Sequence, residues 1–146
     1  KTEKMAAQKS FCVCLLVLAA AAAVWATKEF KVGDGEGWRQ PATANETAMY
    51  SHWSAKNRFQ IGDFLRFVYS NNDSVVEVDK WGFYHCNTTG AAATFTDGHD
   101  TLIKLRNAGP LYFISGHPDH CKNGQRLLVD VLGAHSSGGG AAAAPA

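Results

Sequence analysis

The stretch Tyr112-Phe113-Ile114-Ser115-Gly116-His117-Pro118-Asp119-His120-Cys121-Lys122-Asn123-Gly124-Gln125 decides how this chain is read. It opens as the end of an apolar, strand-like run beginning at Leu111, which breaks at Ser115-Gly116. Two histidines, a carboxylate and a cysteine follow, and Gly124-Gln125 turns the chain into a second apolar run, Arg126 to Val131. Metal-ligating and hydrogen-bonding side chains therefore gather in one loop between two strands, where a rigid sheet can present them.

The same alternation of short apolar runs and turn residues extends outward from this loop. Glu29-Phe30-Lys31-Val32 alternates and stops at Gly33-Asp34-Gly35, and Gly62-Asp63 introduces Phe64 to Tyr69. Val75 to Val78, Thr101 to Leu105, Leu111 to Ile114 and Arg126 to Val131 supply further strands, with a turn at Asn107-Ala108-Gly109-Pro110. No long helical period interrupts them; Tyr50 to Lys56 and Asp79 to Tyr84 are the two candidates for short helices. Short strands at this spacing predict an all-β sandwich or barrel. Trp38, Trp53, Phe67 and Phe113 are assigned to its core.

The two ends differ from this middle. Lys4 and Lys9 precede an apolar block from Phe11 to Ala23, and Val24-Trp25-Ala26 is a small-residue cleavage site. Residues 1–26 are accordingly expected to be a signal peptide with its start at Met5, because the apolar block is shorter than the ~20 residues of a membrane span. Residues 27–132 form the expected domain, and the Gly/Ala/Ser/Pro-rich residues 133–146 read as a linker or the start of a stalk. Membrane association is expected only through a lipid anchor, for which this tail carries no apolar segment.

Removing the leader takes Cys12 and Cys14 with it and leaves Cys86 and Cys121. In an exported chain two cysteines most simply form a disulfide, closing a loop of about 36 residues worth roughly 3–4 kcal/mol; a Cys–Cys metal site is the competing reading, which the compartment disfavours. Three of the 14 Lys and Arg and one of the 13 Asp and Glu also lie before Thr27, leaving 11 against 12. With no basic stripe interleaved by aromatics, nucleic-acid binding is excluded.

From about residue 29 to 132 the motifs resemble those of the phytocyanins, the plant cupredoxins. They run in order as Phe30-Lys31-Val32-Gly33-Asp34, Gly37-Trp38, Tyr50, Trp53, Lys56-x-Arg58-Phe59, Ile61-Gly62-Asp63-x-Leu65-x-Phe67-x-Tyr69, Val75, Val78 and Tyr84-His85-Cys86. The segments from Asp79 to Asn87 and from Pro118 to Gln125 are similar to the early nodulin-like branch. The resemblance implies a cupredoxin-like Greek-key sandwich of about eight strands, one or two short helices, and a Cys86–Cys121 disulfide near the ligand end.

The same resemblance allows the copper chemistry to be tested by position. In the family, a Tyr-Phe-Ile-Cys…Gly-His-Cys-x-x-Gly-Met/Gln loop supplies a thiolate, an imidazole and a weak axial ligand, and a second His lies upstream. A blue-copper site needs two imidazoles and a thiolate in a trigonal plane. The corresponding positions here are Asp73 for the upstream His, Ser115 for the thiolate, His120 for the second His and Gln125 for the axial ligand. A protonated Ser hydroxyl is a poor ligand, and Cys121 is committed if it is tied to Cys86. No type 1 copper cofactor is expected. The alternative is an electron-transfer cupredoxin with an altered copper site.

His85, His117 and His120 form a second candidate set, able to hold Zn²⁺ or Cu²⁺ with Asp73 or Asp119, or else to be loop histidines bonded to backbone. Ser115 with His117 or His120 raises a hydrolase reading, but no other enzyme signature accompanies it and the chain is not expected to be an enzyme. Asn45, Asn72 and Asn87 begin N-glycosylation sequons. The expected role is a secreted or cell-surface binding or structural glycoprotein on the extracellular face of the plasma membrane. Its partner would be a cell-wall glycan, an arabinogalactan-type glycoprotein or a receptor ectodomain, met at the face containing Asp73, Ser115 to His120 and Gln125.

Overall fold

A computed structural model describes residues 26–70 and 72–133; the expected leader up to residue 25 and the tail from 134 lie outside the described residues. Eight strands form two sheets: β1 (Glu29–Lys31), β3 (Phe64–Val68) and β6 (Asp100–Lys104) in one, and β2 (Phe59–Gln60), β8 (Arg126–Leu132), β7 (Gly109–Ile114), β4 (Val75–Val78) and β5 (Ala93–Phe95), in that spatial order, in the other. β1 runs parallel to β3 and β2 parallel to β8, whereas every other pairing is antiparallel. The chain therefore passes repeatedly from one sheet to the other, which gives the expected sandwich.

Side-chain alternation explains why these segments pair as they do. In β8, Leu127, Val129 and Val131 are buried while Leu128 and Asp130 face solvent, and in β3 Leu65 and Phe67 point inward. A shift of one residue would turn either set outward, so burial fixes the register. Between the sheets Phe67 meets Trp38 and Phe113 with ring centroids 5.2 Å apart in each case. The four aromatic residues assigned to the core are buried there.

Strand β4 departs from simple alternation because both its faces are covered. Val75 joins the main core, whereas Val76 and Val78 pack with Ile114 and Cys121 in a second cluster under the short helices. One of these, α2 (Lys80–His85), starts at Asp79, whose Oδ1 accepts from the Gly82 amide at 2.7 Å. It ends at Cys86, held at φ 48° and joined to Cys121, the pairing expected from the sequence. The earlier helix α1 (Met49–Ala55) buries Tyr50 and Trp53 one turn apart and packs on β8.

Three details differ from the sequence reading. β2 and β5 were not anticipated. Gly109 and Pro110, assigned to a turn, belong to β7 and pair with Val131 and Asp130. Pro110 is tolerated because β4 reaches only Tyr112 to Ile114, so its missing amide faces no neighbouring strand. Finally, the loop contains a third helix, α3 (Pro118–Lys122), which orients the candidate site.

Candidate functional site

Strands β4 and β7 are neighbours, and the segments at their adjoining ends bring Asp73-Ser74 against Ser115-Gly116. The Asp73 side chain is only 6 % exposed, so its carboxylate needs donors. It finds three at hydrogen-bond distance. The Ser115 hydroxyl donates to Oδ1 at 2.7 Å, the Ser74 amide donates to Oδ1 at 2.8 Å, and Gln125 Nε2 donates to Oδ2 at 2.8 Å. Three of the four expected copper-equivalent positions are thus linked to one another through a carboxylate.

The fourth, His120, completes the cluster. Its Nδ1 lies 3.4 Å from Asp73 Oδ2, near enough for an ion pair when protonated, but it makes no hydrogen bond of proper geometry among the described residues. Helix α3 explains its position. With Pro118 at the first helical position, the turn places His117 and His120 three residues apart on one side, their ring centroids 4.6 Å from each other. Cys121 points the other way, into the disulfide, and is fully buried. His117 is exposed, with Nε2 turned to the Asn72 carbonyl. One ligand atom from each of Asp73, His117 and His120 lies within 4.8 Å of the others.

Two glycines, together with long-range contacts of Ser74 and Trp38, hold this edge together. A side chain at Gly116 would collide with Ser74 Oγ, which accepts from the Gly116 amide at 3.1 Å. Gly124 has φ +112°, and a Cβ there would sit 2.5 Å from the Thr47 carbonyl oxygen. Ser74 also receives the Trp38 indole N–H on its carbonyl at 2.9 Å, so the site is tied to the aromatic core. The sequence marked Ser74 only as the end of the Asn72 sequon and Trp38 only as core, because these contacts span more than thirty residues.

The histidine grouping is corrected by the structure. His85 does not join His117 and His120: its Nδ1 bonds the Trp81 carbonyl at 2.8 Å and its ring stacks on Trp81 at 4.4 Å. Closeness to the disulfide did not carry its direction. Asp119 is exposed and also stays outside the cluster. Of the sequons, Asn45 and Asn72 are exposed, while Asn87 is half-buried with Oδ1 accepting from the Thr89 amide at 2.8 Å.

Away from this edge, Tyr50 supports the loop that carries Trp38. Its hydroxyl accepts from the Arg39 amide at 2.8 Å and faces the Gly37 carbonyl at 2.8 Å. Burial pushes its phenol up to about 12, against the opposing hydrogen bond and charge of Arg39.

Residues 38–125 match the family model described as a plastocyanin-like domain. The chain belongs to the phytocyanin family. Within that family it is 52 % identical over 124 residues to early nodulin-like protein 7 of Arabidopsis thaliana, covering 85 % of this chain and 62 % of that protein. It is 49 % identical over 109 residues to early nodulin-like protein 17 of Oryza sativa subsp. japonica, covering 75 % and 56 %. The chain thus spans about three-fifths of the length of these curated relatives. Among solved structures, cucumber stellacyanin with Cu²⁺ at pH 7.0 superposes with a TM-score of 0.67 at 31 % identity, covering 75 % of this chain and 98 % of that one. Early nodulin-like relatives and a phytocyanin fold place this domain on a cupredoxin scaffold.

The residues at its edge do not match what type 1 copper requires. Both cysteines among the described residues are in the disulfide, and the hydroxyl of Ser115 is turned into a bond with Asp73.

Proposed function

We propose that this domain is a non-catalytic, extracellular phytocyanin module that does not carry type 1 copper and that uses its polar edge for recognition. One observation carries the reading: the Ser115 hydroxyl, at the position assigned to the thiolate, donates to Asp73 Oδ1 at 2.7 Å. A buried carboxylate bound by Ser115, Ser74 and Gln125 occupies the centre of the edge with hydrogen bonds in place of metal–ligand bonds. The exposed His117 and the neighbouring Asn72 give that edge a hydrated, hydrogen-bonding surface, suited to a cell-wall glycan, an arabinogalactan-type glycoprotein or a receptor ectodomain. Glycans on Asn45, Asn72 and Asn87 and a position at the cell surface belong to the same proposal.

The hydrolase reading loses its support on geometry. Ser115 is 1 % exposed and donates its proton to a carboxylate, while the His117 backbone amide donates to its oxygen at 3.1 Å. A nucleophile needs an imidazole accepting that proton and an open approach for substrate. The altered-copper reading is likewise not favoured, because a type 1 site draws its colour and its electron transfer from a thiolate. Adding Cu²⁺ to the purified, disulfide-bonded protein tests the proposal. Weak ligand-field absorption at most is expected; an intense thiolate-to-copper band with a reversible redox couple would overturn it.

A further inference from the structure

The geometry points to a divalent-cation site of a different kind on the same edge: Zn²⁺ held by Asp73 Oδ2 and by one ring nitrogen each of His117 and His120. This ligand set takes Asp73 and His120 from the copper-equivalent positions, adds His117 from outside them, and needs no thiolate.

The Asp73–His120 pair is already at the spacing of two zinc ligands, and His117 lies within 4.8 Å of both. Two ligands each about 2.0–2.1 Å from a tetrahedral zinc lie roughly 3.3–3.4 Å apart. Asp73 Oδ2 and His120 Nδ1 are 3.4 Å apart, longer than the ~2.7–2.9 Å of a charge-assisted hydrogen bond. Two buried atoms at this place also lack partners among the described residues: His120 Nδ1 and Gln125 Oε1. Gln125 is fully buried, and its Nε2 bonds Asp73 Oδ2, so its orphaned amide oxygen belongs to the same cluster. Turning the amide over would set that oxygen against the carboxylate, so the orientation is fixed by charge. An imidazole nitrogen with no partner, facing a buried carboxylate oxygen at 3.4 Å, is an environment that a cation completes.

The surroundings are those of a supported ligand set. Metal-binding histidines commonly donate their second ring nitrogen to a carbonyl, and ligating carboxylates are themselves hydrogen-bonded. His117 Nε2 is engaged by the Asn72 carbonyl, which leaves the Nδ1 lone pair for a ligand. Asp73 Oδ1 is anchored by Ser115 and Ser74, which leaves Oδ2 facing His120. Three protein ligands leave a fourth position, and the exposure of His117 opens it to solvent. A zinc ion there offers an anionic oxygen of an extracellular ligand a direct bond.

Calorimetric titration of the purified, disulfide-bonded protein with Zn²⁺ alone tests the inference. One equivalent is expected to bind, with affinity reduced at least tenfold in His117→Ala and in His120→Ala and unchanged in His85→Ala. Both cluster histidines lie on the rim, so these variants keep the fold; circular dichroism checks this. Co²⁺ in place of zinc is expected to give tetrahedral ligand-field bands without thiolate charge transfer. No binding, or binding equally strong in the His117→Ala/His120→Ala double variant, overturns the site and leaves an adventitious ion only. Either result leaves the recognition reading standing, since that reading fails on a thiolate-to-copper band and not on zinc.

Discussion

Replacing Asp73 by Ala removes the centre of the hydrogen-bonded edge, and the structure sets the size of the effect. Three donors lose a charged acceptor: Ser115 Oγ, Gln125 Nε2 and the Ser74 amide. Hydrogen bonds to a charged group contribute about 1.5–3 kcal/mol each, so simple addition would give roughly 5–9 kcal/mol. That sum is too large, because the partners share one carboxylate and water can enter beside the exposed Asn72 and His117. Ser115 and Gln125, at 1 % and 0 % exposure, are the two that solvent reaches least. Their unsatisfied donors make a loss of about 3–4 kcal/mol the expected outcome. For a domain of this size that lowers Tm by on the order of 10–20 °C. Asp73→Asn keeps the shape but opposes its own amide N–H₂ to one of the donors, and about half the loss is expected. Equilibrium urea unfolding with the disulfide intact measures both, and a double-mutant cycle with Ser115→Ala isolates the direct contact. A loss below about 0.5 kcal/mol for Asp73→Ala, or strictly additive effects in the cycle, would refute the network.

Two further outcomes follow from other parts of the fold. Tyr50 is raised to about 12 from an ordinary value of 10. Its contribution is therefore complete below pH 10 and is lost as pH rises through 12, for at most about 2–3 kcal/mol. Alkaline unfolding followed by phenolate absorbance should show one late-titrating tyrosine that Tyr50→Phe removes. At Gly124, φ +112° and a Cβ position 2.5 Å from the Thr47 carbonyl predict that Gly124→Ala costs on the order of 2–3 kcal/mol. Chemical denaturation reads that directly, and an unchanged midpoint would contradict the assigned turn.

The longer strands could be read from the sequence because their alternation persists over several residues, as in Phe64 to Val68 and Arg126 to Leu132. β2 and β5, of two and three residues, are too short to show a period, and they exist only because β8 and β4 offer free edges. Helix α3 was hidden because Pro118 to Lys122 lacks an apolar repeat; its inward residue is a cysteine held by the disulfide. At the site, Asp73, Ser115, His120 and Gln125 were picked out by the resemblance to the phytocyanin copper loop. Their bonding did not, because Asp73 reaches Ser115 across 42 residues and Gln125 across 52. Such pairs are made by the pairing of β4 with β7 and of β7 with β8. His85 failed for the same reason: sequence placed it beside a cysteine, and only the helix could say which way its ring turned.

The central claim is that Asp73 and Ser115 together replace a copper site with a hydrogen bond. The visible spectrum of the Asp73→His/Ser115→Cys double variant after one equivalent of Cu²⁺, measured beside the unaltered protein, tests it most directly. His120 and Gln125 remain in both proteins, so the two changes supply the missing imidazole and thiolate. An intense thiolate-to-copper band in the double variant, and none in the unaltered protein, is the result expected. Intense blue absorption in the unaltered protein would contradict the claim, and so would a correctly folded double variant that stays colourless.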